Sequence, residues 1–276
     1  MTERKNKLLL TFILTLLSIL FIAPIIIVLI NSFKGQFYIS DAPFSLPSSS
    51  TFAGFENYIN GVNRTGFFSA FFYSLFITVT SVAVLVLGTS MTSWYIIRAK
   101  NKFSSLLYYL FVFSMIVPFQ MVMFTMSKIA NILSLDNPLG IILIYLGFGS
   151  GLSVFIFSGF IKAIPLEIEE SASLDGCNPI RLFFSVIFPL LRPTAVTVAI
   201  LNTMWIWNDY LLPYLVIGND YKTLPIAIQY LQGGYGSRDM GALMAMLVLA
   251  IIPIVIFYLI CQKYIIKGVV AGAVKG

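Results

Sequence analysis

The sequence predicts an all-α membrane protein with six transmembrane helices. Three observations carry this. The 276-residue chain is 59% apolar and only 10% charged, whereas a soluble domain averages about 25% charged residues. Six apolar stretches, roughly 8–30, 68–96, 104–126, 138–161, 194–217 and 241–262, approach or exceed the ~20 residues that span a bilayer as a helix. The alternation expected of a transmembrane barrel strand is absent, and lipid leaves a helical bundle as the way to satisfy the backbone. The spans use so much of the chain that residues 1–276 read as one transmembrane domain, with no separate soluble domain.

The first span follows Arg4, Lys5 and Lys7 and has the look of a secretory leader. Its apolar run of about 23 residues exceeds the ~7–15 of a leader, and no small-residue cleavage site stands out. It is read as a retained helix. With the N-terminus inside, the inner segments hold Arg4, Lys5, Lys7, Arg98, Lys100, Lys102, Lys162, Arg181, Arg192, Lys263, Lys267 and Lys275. The outer segments hold Lys34, Arg64, Lys128, Lys222 and Arg238. This asymmetry predicts both termini in the cytosol. The net charge of +6 therefore reflects topology, and no clustered basic face points to nucleic acid.

A segment of about 37 residues, rich in Ser, Pro and aromatics, joins the first two spans on the outside; loops that long are often functional. A short basic turn, Arg98 to Lys102, joins spans two and three. Span three contains Pro118 beside Gln120. The proline predicts a kink, and the glutamine should face the bundle interior, either lining a path or bonding a neighbouring helix. Span four carries Gly140, Gly147, Gly149, Gly151 and Gly159, which allow close helix approach. In span five, Asp209 lies about 24 Å beyond Pro193 at 1.5 Å per residue. Asn208 and Asp209 read as an interfacial pair or as lining for a polar path. The next outer segment is rich in glycine (Gly233, Gly234, Gly236), and span six holds Pro253. The glycine-rich tail after Gln262 either frays or docks on a partner.

Residues 163–193 are the longest interruption suited to the cytosol. They read as two short helices with a tight turn. Pro165 opens the first, and Glu167, Glu169 and Glu170 suit its positive end. Gly176 stops it in the left-handed conformation. Asn178 caps the second, with Pro179 in its first position, and Pro189 ends or kinks it. A cytosolic helix pair built this way offers a surface to a soluble partner.

The rest of the chain lacks catalytic signatures. It has no phosphate-binding G-x-x-x-x-G-K-[ST] loop, no G-x-S-x-G elbow and no H-E-x-x-H. Histidine is absent, and the two cysteines, Cys177 and Cys261, are too far apart to suggest a metal site, so neither catalytic nor metal-binding residues are assigned. An ion-driven carrier needs ionisable groups near the midplane, and only the shallow Asp209 is available. What remains is a conduit whose energy comes from elsewhere.

The 163–193 stretch resembles the signature loop of permease subunits of bacterial ABC importers. That pattern is E-A-A, three residues, Gly, nine residues, an aliphatic, one residue, then Leu-Pro. Here Glu170-Ser171-Ala172 is followed by Ser173-Leu174-Asp175 and Gly176; Val186 comes nine residues later, and Phe188-Pro189 closes the motif. Ser171 and Phe188 are mild departures. Met115 to Gln120, Trp207-Asn208-Asp209-Tyr210, Thr223-Leu224-Pro225 and the tail Gly272 to Gly276 resemble the carbohydrate-uptake branch, of the maltose-permease second-subunit or multiple-sugar type. The likeness covers nearly the whole chain.

The resemblance implies a multi-pass permease in the bacterial cell membrane, with the six-helix bundle of type I importers. It implies three kinds of partner besides lipid: a homologous second permease subunit, two ABC ATPase subunits and an extracytoplasmic sugar-binding protein. Mg-ATP would sit on the ATPase subunits, with no cofactor in this chain. Leu166 to Leu174 would form the coupling helix, with Glu170, Ser171, Ala172, Asp175, Gly176 and Pro189 as the ATPase-coupling residues. Gln120, Asn208 and Asp209 are the candidate path residues. A secondary carrier, a permease for a non-sugar solute and an assembly scaffold remain as rival expectations.

Overall fold

Apolar runs without interior polar breaks become long helices wherever proline does not intervene. The computed structural model describes residues 2–218, 220–232 and 239–273, with side chains over 6–218, 220–231 and 239–264. The chain runs α1 (Thr2–Asn31), α2 (Gln36–Asp41), α3 (Glu56–Thr65), α4 (Phe67–Ala99), α5 (Lys102–Ser114), α6 (Phe119–Ile132) and α7 (Gly140–Ile161). It continues through α8 (Leu166–Leu174), α9 (Pro179–Leu182), a π-helical turn (Phe183–Ile187), α10 (Phe188–Asn208), α11 (Leu211–Val216), α12 (Leu224–Gln229) and α13 (Met240–Ala273). Pairing of extended backbone among the described residues is limited to one bridge, Lys34 with Phe52.

Five helical segments are long and apolar enough to cross a membrane: Asn6–Asn31, Phe67–Ala99, Gly140–Ile161, Pro179–Asn208 and Met240–Tyr264. The predicted third span, 104–126, is not one rod. It breaks between α5 and α6, which meet at 106°, and counts as a sixth span only if the bent pair crosses together. Pro118 explains the break. Its φ of −63° and ψ of 134° are extended, and its ring drives the residue before it away from helical angles. The expected kink is therefore a full corner.

The predicted fifth span, 194–217, is also revised. The helical segment begins at Pro179 and ends at Asn208, and Asp209 is extended, with ψ of 123°. Residues 211–216 form the separate α11. At the far end, α13 runs past the predicted limit of 262 to Ala273, because no proline or cap follows Gln262. The tail expected to fray or dock is thus helical as far as Ala273, and Val274 to Gly276 lie outside the described residues. Gly233, Gly234 and Gly236 lie outside them as well.

The chain folds as two compact units. One comprises Met1–Phe68 and Ala227–Val255. In it the predicted outer segment is folded rather than loose. Lys34 is only 1% exposed; its Nζ donates to Ala42 O at 2.8 Å and to Ser45 Oγ at 3.3 Å. Asn57 Nδ2 donates to the carbonyls of Ser32 and Lys34, both at 2.8 Å. Asp239 caps the start of α13 by accepting from Ala242 N at 3.0 Å, and pairs with Arg64 at 2.6 Å.

The other unit comprises Ser69–Ile226 and Ile256–Gly276. Here α4, α7 and α10 pack through small and polar residues. A methyl group at Gly149 would lie 2.8 Å from Leu85 Cδ1 and 2.9 Å from Asn202 Oδ1. One at Gly151 would lie 2.7 Å from Phe111 O, on α5. Gly147 and Gly159 face open space within this chain, so only part of the predicted glycine stripe serves packing here. Asn202 Nδ2 donates to Ser153 Oγ at 3.2 Å, and Ser93 Oγ to Val154 O at 3.3 Å. Such bonds hold helices together where apolar burial gives little drive.

Candidate functional site

The polar stretch folds as two short helices, as its capping chemistry requires. Pro165 precedes α8 rather than opening it; its ψ of 137° is extended. Gly176 adopts φ of +82°, a conformation that side-chain-bearing residues resist. Its N–H donates to Ser173 O at 3.0 Å, and Cys177 N–H to Ala172 O at 3.1 Å. These two bonds form a Schellman cap, which satisfies the last carbonyls of α8. Asn178 Oδ1 then accepts from Arg181 N at 2.8 Å, with Pro179 in the first position of α9. Both cysteines are free thiols, half-buried.

Of the two outcomes expected at Pro189, an end to the second helix does not occur. The helix widens just before it. Phe188 N–H bonds back to Phe183 O, five residues away, and the π turn over Phe183–Ile187 gives the proline ring room. Pro189 is half-buried inside a continuous helical segment.

At about 100° per residue, Glu167, Glu170, Ser171 and Leu174 share one face of α8. All four are exposed, and Leu174 is 90% exposed. Asp175 and Gly176, at the end of the helix, are exposed too. Glu169 and Ala172 lie on the opposite face; Glu169 is buried and Ala172 half-buried. Ala172, one of the residues that the resemblance assigns to ATPase coupling, lies on the face turned to its own chain.

Glu169 is the residue that sequence reasoning undervalued. Its Oε1 accepts from Arg98 Nε at 2.8 Å and lies 2.6 Å from Arg98 Nη2. Its Oε2 accepts from Trp94 Nε1 at 2.9 Å. Arg98 Nη2 also donates to Ile164 O at 3.0 Å, and Ser173 Oγ donates to Glu169 O at 2.8 Å. The end of α4 thus holds the inner face of α8. Neither residue type nor local spacing signals a partner 71 positions away.

The three path candidates are not brought together. Gln120 is exposed on α6, just after the corner at Pro118. Asn208 is exposed, and its Nδ2 donates to Met204 O at 2.7 Å. Asp209 is engaged in structure. Its Oδ1 accepts from Leu211 N at 3.0 Å and Leu212 N at 3.3 Å, and its Oδ2 from Tyr145 Oη at 3.1 Å. It starts α11 and holds that turn to α7. Asp209→Ala should lower the thermal midpoint in detergent by a loss of about 1–2 kcal/mol from the cap, plus the cost of the unpaired buried Tyr145 hydroxyl. Asp209→Asn should recover most of it. A transport defect in Asp209→Asn at unchanged midpoint would show a role beyond this scaffold.

Residues 84–270 match the family described as binding-protein-dependent transport system inner membrane component. The chain belongs to that family. It is a transport subunit rather than an ATPase, and a multi-pass protein of the cell membrane. Family membership also implies an extracytoplasmic binding protein and a partner ATPase. The permease is 40% identical to the probable starch degradation products transport system permease protein AmyC of Thermoanaerobacterium thermosulfurigenes, over 98% of this chain and 97% of that protein. It is 33% identical to the multiple sugar-binding transport system permease protein MsmG of Streptococcus mutans, over 95% of each. Its fold is that of a chain in the crystal structure of a bacterial ABC transporter that imports the acidic polysaccharide alginate. The TM-score is 0.76 at 19% identity, covering 95% of this permease and 97% of that chain.

Proposed function

We propose that this permease is one half of the membrane channel of an ATP-driven carbohydrate importer. A homologous second permease forms the other half. Two ABC ATPase subunits carry Mg-ATP on the cytosolic side, and an extracytoplasmic sugar-binding protein delivers the cargo. The observation that carries the energy-coupling part is the outward face of α8. A leucine 90% exposed, one turn from Glu170 and Ser171 on a helix held from behind by Arg98, is a surface that the described residues leave uncovered. The names of AmyC and MsmG support sugar as the cargo.

In this reading α8 docks in a cleft of an ATPase subunit, with Glu170, Ser171, Leu174 and Asp175 at the contact. ATPase closure displaces α8, and the bundle alternates between inward- and outward-facing states. Asn208 and Gln120, exposed on this chain, belong to the path between the two permeases. The charge asymmetry supports a cytosolic α8, with both termini on the same side. The deciding experiment reconstitutes the purified complex in vesicles with the binding protein and a panel of oligosaccharides. ATP hydrolysis and uptake should rise together for at least one sugar. Uptake driven by an ion gradient without an ATPase subunit would overturn the reading.

A further inference from the structure

The contacts behind α8 carry an inference beyond docking. A helix that only displays a surface needs to be folded and capped, and the Schellman turn at Gly176 with the extended Pro165 does that. The side-chain junction at Glu169 is additional. It joins α8 to α4, a helix not adjacent in the chain, and it is built from a carboxylate using both oxygens. Arg98 takes Oε1 through a guanidinium fork, with Nε at 2.8 Å and Nη2 at 2.6 Å. Trp94, one turn earlier on the same face of α4, takes Oε2 at 2.9 Å. Arg98 Nη2 also holds Ile164 O at 3.0 Å, just before α8 begins. Side chains of Arg98 and Glu169 are 19% and 7% exposed, so the pair is largely removed from solvent screening.

The indole ring of Trp94 extends the junction. Its centroid lies 5.6 Å from that of Phe183, which is fully buried and opens the π turn. Phe183 shares a buried cluster with Ile161 at the end of α7, with Ile164 just beyond it, and with Ile187 and Leu191. One carboxylate on α8 is thereby fastened to α4, and through one indole to the segment that becomes α10.

We propose that the Arg98–Trp94–Glu169 junction is the joint through which displacement of α8 enters the membrane helices, with α4 as the first helix moved. These are positioning residues: they touch neither nucleotide nor cargo. The inference rests on the reading of α8 as the ATPase-docking helix. A bond to a charged group in a dry site is stiff and directional, so α8 and the end of α4 move as one body. Peptide links at either end of α8 would let it swivel.

The test uses the full importer. In a Cys177→Ser, Cys261→Ser background, Arg98→Cys and Glu169→Cys are combined, and a short thiol-reactive cross-linker rejoins them. The single variants Glu169→Gln, which keeps side-chain shape, and Trp94→Phe, which removes the indole N–H donor, accompany it. Before cross-linking, the ATPase subunit should still co-purify, because the outer face of α8 is untouched. Sugar moved per ATP hydrolysed should fall about tenfold. Cross-linking should restore it several-fold, although no charge or indole bond returns, which a purely structural role of the ion pair would not do. Glu169→Gln and Trp94→Phe should give smaller losses in that order. The proposal is overturned if transport per ATP is unchanged in the unlinked pair, or if cross-linking does not raise it. It is also overturned if the unlinked variants lose the ATPase subunit, since the junction would then merely shape the docking face. Failure of the wild-type permease itself to retain an ATPase subunit would instead refute the reading of α8.

Discussion

Leu174→Asp should strip the ATPase subunits from the complex while leaving the permease folded and inserted. Leu174 is 90% exposed, so its own chain gains little from it. Burying a leucine at a partner contact contributes about 1.5–3 kcal/mol. An aspartate there forfeits that and adds a carboxylate one turn from Glu170, with the like-charge cost of an i,i+4 pair. At 1.4 kcal/mol per tenfold, affinity should fall by about ten- to a hundredfold. Titration of detergent-solubilised permease with labelled ATPase subunit measures it directly. The substitution leaves the Schellman cap intact, because that cap uses the backbone of Ala172, Ser173, Gly176 and Cys177. Unchanged affinity would remove Leu174 from the docking surface.

The second large effect is expected at Gly176. Proline there fixes φ near −65°, whereas the turn requires +82°, and it deletes the N–H that reaches Ser173 O at 3.0 Å. The end of α8 must unwind, and the approach to Asn178 and α9 changes direction. Gly176→Pro should still insert in the membrane, because the apolar spans are unaltered. Uptake should fall at least tenfold, and hydrolysis should no longer respond to the loaded binding protein. Gly176→Asn is the control. Asparagine tolerates the left-handed region better than other side-chain-bearing residues, so it should retain a substantial part of uptake. Normal uptake by Gly176→Pro would mean that the geometry of this turn is not used in coupling.

Local chemistry was legible in the sequence wherever one residue type decides one conformation. Gly176, Asn178 and Pro179 took the cap and turn positions that their side chains dictate, and the apolar runs near α1, α4, α7 and α13 became helices. Relations between distant segments were not legible. Glu169 and Glu170 are neighbours of identical chemistry, and only Arg98 and Trp94 decide which of them is buried. Ala172 turned inward for the same reason. Asp209 read as an interfacial residue or as lining for a polar path, because an acid inside a span is costly. The helix in fact ends beneath it, and its oxygens bind the N–H groups of Leu211 and Leu212. Proline positions were visible, but their consequences were not. Pro118 makes a 106° corner, whereas Pro189 sits in a helix that continues, because the five-residue turn before it makes room.

That π turn over Phe183–Ile187 also sets a helical phase. A π turn accommodates one residue more than an α turn does, which rotates everything beyond it by about 100° relative to an uninterrupted α-helix. Asn202 reaches Ser153, and Leu191 and Val198 are buried, only at that rotation. Viewed this way, α9 and α10 are two rotors keyed together at one extra residue. The side of α10 shown to its neighbours is set at that turn rather than along the apolar run itself.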